Sequence, residues 1–227
     1  MTQIEQQTAL SIQDEKKALR VRMRALLQSN ALKNDALNAA SCNACSCLLA
    51  SAMYKNAALI LAYMPLPEEL DILPAVKAAL RAGKAVAVPK TAAGSNDMDF
   101  YLLKNGLAGS DEKSAFDSQF ERGVFGIREP KSGLSNLTLS DMRQAAEAGR
   151  LLVLVPALAF DSAGARLGRG KGFYDKFLFG LKQENAVTCG VCFGFQIVPS
   201  VPAAQSDFSV GSILSETGLI RAAAVRR

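Results

Sequence analysis

Arg166-Leu167-Gly168-Arg169-Gly170-Lys171-Gly172-Phe173-Tyr174-Asp175 packs glycines, cations and a carboxylate into one short stretch. That mixture suits a polyphosphate and its metal. Glycine lets the backbone reach φ > 0 and lets an anion approach the amide N–H groups, which a Cβ would obstruct. Arg166, Arg169 and Lys171 add charge-assisted donors, arginine as a bidentate fork and lysine as a point charge. The apolar run Leu151 to Phe160 ahead of the loop reads as a buried strand, and Phe173 to Leu178 behind it as the first turns of a helix. Strand, glycine-rich turn and helix N-terminus together form an anion cradle. A basic surface turn without a ligand is the alternative reading of the same residues.

Two familiar phosphate motifs are excluded. A P-loop needs a glycine where Ala165 stands and a Ser or Thr where Gly172 stands, and the dinucleotide fingerprint needs a glycine in place of Phe173. Asp161-Ser162-Ala163-Gly164 also inserts a turn between strand and loop, so the cradle is of another kind. Outside it, Lys16 and Arg20 are four residues apart and share a helical face that Arg24 extends, either to meet an anion or as an ordinary solvated face. Glu68, Glu69 and Asp71 follow the stiff turn Pro65-Leu66-Pro67, and Asp71 suits a cap for a helix beginning near Ile72. Asp175 and Asp207 are magnesium candidates, because that ion keeps several waters and takes one or two carboxylates plus substrate phosphates. Helix-dipole stabilisation for Asp175 and a surface turn for Asp207 are the competing assignments. The chain contains no histidine, which argues against hydrolases that depend on an imidazole base.

Val155-Pro156-Ala157-Leu158-Ala159-Phe160-Asp161, Gly164, the 166–172 run and Tyr174-Asp175 resemble the signature of the 5-formyltetrahydrofolate cyclo-ligase family, also called 5,10-methenyltetrahydrofolate synthetases. Lys16-Lys17-Ala18-Leu19-Arg20 is similar to that family's N-terminal nucleotide-contacting helix, and Tyr63-Met64-Pro65 through Glu69-Leu70-Asp71 to its folate-contacting segment. Gly83-Lys84, Val88-Pro89-Lys90, Gly126, Glu129-Pro130 and Asp207 fall in matching order, so the resemblance spans about residues 14 to 220. It implies that ATP is bound by Lys16, Lys17, Ala18, Leu19 and Arg20 with Arg166, Leu167, Gly168, Arg169, Gly170, Lys171, Gly172, Phe173 and Tyr174. Folate contacts are implied for Met64, Glu69, Arg169, Gly170, Lys171, Gly172 and Phe173. Magnesium is implied at Asp175 and Asp207, and charge neutralisation at the transferring phosphoryl group by Arg169 and Lys171. The implied reaction phosphorylates the formyl oxygen of 5-formyltetrahydrofolate from ATP. N10 then attacks the activated carbon, giving 5,10-methenyltetrahydrofolate, ADP and phosphate. The chain departs from the family pattern at Phe173, Ser206 and Gly211, where a tyrosine, a histidine and an aspartate are usual. Another ATP-dependent ligase or small-molecule kinase, or a non-catalytic anion- or RNA-binding protein, could use the same cradle; the Met64 to Glu69 segment separates the first, and the lack of an aromatic stacking strand disfavours the last.

These residues need a scaffold. Asp14 reads as the cap of a helix running through Leu27, with residues 1–13 a flexible extension, and a second helix follows to about Tyr54. Ala57 to Tyr63 reads as strand, Ile72 to Ala82 as helix ended by Gly83, Ala85 to Val88 as strand ended by Pro89, and Met98 to Leu103 as a short strand. Residues 91–97 read as a polar turn and 104–141 mostly as loop. A helix from Ser140 to Ala148, the strand 151–155, the cradle, a helix to Lys182, a strand 187–193 and a short strand near Leu219 to Ala222 complete the pattern. The expectation is a single α/β domain, Rossmann-like in three layers: an open, mainly parallel sheet with helices on both faces, binding ligand beyond the C-terminal strand ends.

The 227 residues, 49% of them hydrophobic, suffice for one sizeable core. No stretch approaches the roughly 20 apolar residues of a membrane span, and the polar opening lacks a secretory core, which points to a cytoplasmic protein, expected to be monomeric. A net charge of +5 is modest for this length, so nucleic acid is not required as a partner; an anionic small molecule serves, here a folate with or without a polyglutamate tail. Cys42/Cys45 and Cys189/Cys192 form two CxxC pairs, but the first sits in a helical segment, and alternation along 187–193 aims the second at opposite sheet faces. Core cysteine is therefore favoured over zinc or a disulfide.

Overall fold

A computed structural model of the chain describes residues 3–31, 34–91, 97–105, 112–123, 128–181, 186–204 and 206–223. In chain order the elements are α1 (Gln3–Ala31), α2 (Asn34–Ala50), α3 (Ala52–Asn56), β1 (Leu59–Leu61), α4 (Leu73–Arg81), β2 (Ala85–Thr91), β3 (Met98–Leu102), α5 (Glu112–Asp117), β4 (Phe120–Arg122), β5 (Arg128–Pro130), β6 (Asn136–Leu137), α6 (Leu139–Glu147), β7 (Leu151–Pro156), β8 (Ala159–Phe160), β9 (Arg166–Leu167), α7 (Phe173–Leu181), β10 (Val187–Val191), β11 (Ser212–Ser215) and β12 (Gly218–Arg221).

The main sheet runs β12-β11-β10-β7-β1-β2-β3-β6. Its centre, from β11 to β2, is parallel, and the β12, β3 and β6 pairings are antiparallel, so the sheet is mainly parallel as expected. Leu151 to Val155 are all buried, as a run of Leu and Val without polar alternation requires of a strand covered on both faces. Side chains alternate between two cores. Ile60, Leu152, Leu154 and Cys189 pack with α2 and α4 residues such as Leu48, Val76 and Leu80, whereas Leu61, Val153, Val155 and Cys192 pack with Met142 of α6 and Leu178 of α7. Cys189 and Cys192 thus belong to opposite faces, in agreement with the alternation argument.

Several boundaries differ from the sequence reading, each for a local reason. Helix α1 begins at Gln3, so Asp14 lies inside it instead of capping it. The expected second helix is two, because Ser51 leaves the helical region (φ −70°, ψ 150°) and its side chain caps α3 by accepting from the Tyr54 amide. Strand β2 continues through Pro89 to Thr91. Its pairing with β1 ends at Leu61↔Ala87, and Pro89 faces that vacated side, so its missing N–H interrupts no ladder bond. Residues 104–141 contain α5 and the β4–β5 hairpin, which packs against β2. Gly126 and Lys182, the latter the expected end of α7, fall outside the described residues, as does most of the 91–97 turn.

What positions the cradle is a small third core. Met23 and Leu27 of α1 pack with Leu158, Ala159, Ala165, Leu167 and Val201 around the antiparallel β8–β9 hairpin. Asp161 holds that hairpin's turn: its Oδ1 accepts the Ala163 and Ala165 amides at 3.0 Å each, and its Oδ2 accepts the Val201 amide at 2.9 Å.

Candidate functional site

A cleft of about 420 Å³ opens where β1, β2 and β7 end. From β1 the chain passes to β2 on one side, and β7 later joins β1 on the other, so the crevice sits at the topological switch point of the sheet. Tyr63 and Met64 beyond β1, Pro89 and Thr91 of β2, and Pro156 and Ala157 at the end of β7 form its floor. The cradle residues Gly168 to Asp175, apart from Gly170, form one wall.

Within the cradle Gly170 has φ 100° and Gly172 φ 71°, left-handed values that L side chains rarely adopt. They bend the chain between β9 and the start of α7. Arg166, expected as a charge-assisted phosphate donor, is buried: its Nη2 donates to Asp175 Oδ1 at 2.5 Å, and its guanidinium lies 5.8 Å from the centre of the Tyr174 ring. Arg166 Nε and the Tyr174 hydroxyl are buried with no hydrogen-bond partner among the described residues, although both side chains line the cleft. Orphaned polar atoms beside a cavity mark where a ligand's acceptors and donors would be satisfied. Burial pushes the Tyr174 phenol well above its ordinary range, so it stays protonated and can donate.

Helix α1 presents Lys16, Arg20, Met23 and Leu27 on one stripe, at the spacing of successive turns. Its apolar part grips the β8–β9 hairpin, and its cationic part reaches the cradle. Arg20 Nε donates to the Gly168 carbonyl at 3.1 Å, and Arg24 Nη2 to the Arg169 carbonyl at 3.5 Å. Lys16 is buried and ion-paired with Asp207 Oδ2, which also accepts the Ala204 amide at 2.5 Å. Lys17 and Ala18 are exposed on the other side of the helix, and Leu19 packs into the small core. Asp175 and Asp207 are brought close, since the Phe208 amide donates to Asp175 Oδ1 at 3.4 Å. Among the described residues no group of three or more His, Cys, Asp or Glu could hold a metal unaided, so a cation here would need oxygens that a ligand brings.

Opposite the cradle, the 64–70 segment is pinned by the Tyr63 hydroxyl, which donates to the Leu70 carbonyl at 2.6 Å. Glu69 lines the cleft with one oxygen on the Leu66 amide (3.1 Å) and the other on Arg169, from Nε at 3.2 Å and Nη2 at 3.0 Å. Burial raises its pKa above the ordinary carboxylate value, although the Arg169 charge and the Leu66 amide pull it down. Met64, also buried, supplies an apolar surface beside it. Met98, Arg128 and Glu129 complete the cleft. Met98 and Arg128 carry no motif signal. Met98 is brought in by β3, an antiparallel addition beside β2, and Arg128 by the separate β4–β5 hairpin packed against β2, with Glu129 Oε1 accepting from Thr91 at 3.2 Å and the Arg128 guanidinium 4.8 Å from the Phe120 ring centre.

Comparison with known proteins accords with this geometry. A sequence model of the 5-formyltetrahydrofolate cyclo-ligase family matches residues 12–216. A 5-formyltetrahydrofolate cyclo-ligase of Mus musculus is 29% identical over 213 residues, covering 92% of this chain and 97% of that relative. The NMR structure of Aquifex aeolicus 5,10-methenyltetrahydrofolate synthetase is similar with a TM-score of 0.70 at 25% identity, covering 93% of this chain and 95% of that one. A 5,10-methenyltetrahydrofolate synthetase from Mycoplasma pneumoniae shares the fold with a TM-score of 0.61 at 18% identity, covering 88% and 98%. Among the described residues no helix is long and apolar enough to cross a membrane.

Proposed function

The chain belongs to the 5-formyltetrahydrofolate cyclo-ligase family, and from that premise we propose that it converts 5-formyltetrahydrofolate to 5,10-methenyltetrahydrofolate with consumption of ATP. The observation that carries this reading is the contact between Arg169 and Glu69, at 3.0 Å across the cleft. It supports the reading because a phosphate-type donor and a heterocycle-type acceptor share one cleft, as transfer between two substrates held together requires.

On this reading Glu69 accepts N–H donors of the pterin and Met64 flanks its ring. The cradle, from Arg166 to Tyr174, receives the polyphosphate with Lys16 and Arg20 of α1; Lys17, Ala18 and Leu19 support that helix. The formyl oxygen attacks the γ-phosphorus and ADP leaves. N10 then attacks the formyl carbon and loses its proton, and phosphate departs with the former formyl oxygen, leaving the methenyl bridge. Arg169 and Lys171 neutralise charge on the transferring group, a task for preorganised cations and not for an acid–base pair. Asp175 and Asp207 fit magnesium by donor type and number, and that ion would offset polyphosphate charge. Arg166 and Lys16, now paired with those carboxylates, would turn toward phosphate oxygens instead. The same reading makes the protein a single-domain, cytoplasmic monomer, with monoglutamyl or polyglutamyl folate as substrate.

Mixing the full chain with MgATP and 5-formyltetrahydrofolate should produce the near-ultraviolet absorbance of the methenyl product. Absence of both product and folate-dependent ADP rejects the proposal. Arg169→Ala should lower kcat by about a hundredfold or more with unchanged circular dichroism, the cost of losing one preorganised charge donor. Unchanged turnover would remove Arg169 from its role.

A further inference from the structure

Arg169 is held by two adjacent carboxylates that stand differently toward the cleft. Glu69 lines it; Glu68 does not, yet Glu68 Oε1 accepts from Arg169 Nη2 at 3.1 Å. Glu69 Oε2 is committed to the Leu66 amide, and Glu69 Oε1 to Arg169 Nε and Nη2. The nitrogens that would take a phosphate and the oxygen that would take a ring N–H are therefore already joined to each other. A ligand that takes those atoms competes with the same contact.

We propose that Glu68 is a positioning residue that keeps Arg169 docked on Glu69 until a ligand draws the two apart, so that nucleotide and folate binding reinforce each other through one shared opening. The inference rests on the function proposed above and adds a role for a side chain that need touch neither ligand. The first ligand bears the cost of separating the pair, and the second finds its partner group exposed. By linkage the gain is the same in either order. Glu68 sets the size of that gain because it gives the guanidinium a second anion on the docked side. Its side chain is 33% exposed and that of Arg169 35% exposed, so solvent screens the contact and the contribution is a modest factor.

Isothermal titration of the full chain with 5-formyltetrahydrofolate and with the magnesium complex of a β,γ-imido ATP analogue, separately and together, tests this. In the wild type each ligand should lower the Kd of the other by about fivefold or more. Glu68→Gln should bind the analogue alone about two- to fivefold more tightly than wild type, the factor expected of a partly exposed pair, and should show weaker mutual enhancement. Glu68→Ala carries the same expectation and serves as the second variant. Tighter analogue binding alone would follow from losing a negative charge near the cradle, whereas weaker mutual enhancement is the outcome that charge loss without a positioning role does not produce. Unchanged or weaker analogue binding in the variants, or undiminished enhancement, overturns the inference. If the wild type binds both ligands without mutual effect, the coupling fails and the catalytic reading stands; if it never binds the folate, the catalytic reading itself fails.

Discussion

Glu69 is costly to the fold and, on the proposed function, needed to hold the folate. Its carboxyl gives up a proton less readily in the folded chain than the ordinary value of 4.5, because burial outweighs the pull of Arg169. Folding stability linked to this group is therefore fully present below about pH 4.5 and is lost as pH rises through the elevated folded value. Glu69→Gln should accordingly melt at or up to about 3 °C above wild type at pH 7, the order of shift that 1 kcal/mol gives in a chain of this length, and the gap should close toward pH 4. Folate binding should be lost in the same variant. A lower melting temperature at pH 7 would show that attraction to Arg169 exceeds the burial cost. Glu69 is told apart from its acidic neighbours only by the family resemblance, whereas Arg169 and the cradle glycines are legible from residue type and spacing. The burial of Arg166 on Asp175 is not, because that pairing depends on how two left-handed glycines fold the start of α7 back toward β9.

At the scale of elements, α1 joins an apolar portion that packs on the β8–β9 hairpin to a cationic portion that, on the proposed function, clamps the nucleotide. Met23 is fully buried against the β8–β9 hairpin, and Arg20, one turn away, holds the Gly168 carbonyl. Met23→Ala should cost about 2–4 kcal/mol, visible in chemical denaturation, and should raise KM for ATP several-fold while leaving KM for the folate near wild type. Equal effects on both constants would indicate general loosening and not loss of the clamp. The Lys16/Arg20 face is legible from a four-residue spacing. The helix start is not, since nothing in the polar stretch ahead of Asp14 is a strong helix breaker. Strand β11 escapes a pattern reading because Ser212-Ile213-Leu214-Ser215 is short and carries serines at both ends, although all four side chains are buried. The β4–β5 hairpin escapes it for a related reason: glycine- and serine-rich surroundings read as loop, whereas contact with β2 supplies the order that local preference lacks.

The whole molecule brings distant parts of the chain to one crevice, and ligand energy should consequently spread through it. MgATP at about a hundred times its Kd adds roughly 2.7 kcal/mol to stability, which should raise Tm by about 5–10 °C. Differential scanning fluorimetry measures this; no shift at any nucleotide concentration would mean that the cradle holds no polyphosphate. Strand–helix alternation suffices to expect a mainly parallel sheet with ligands at its strand ends. Strand order lies beyond it, because the neighbours of β1 are chosen by long-range packing and not by local pattern. The Lys16–Asp207 pair joins positions 191 residues apart. During synthesis, then, a ribosome must have delivered the chain as far as Asp207 before the buried Lys16 of α1 can find its counter-ion.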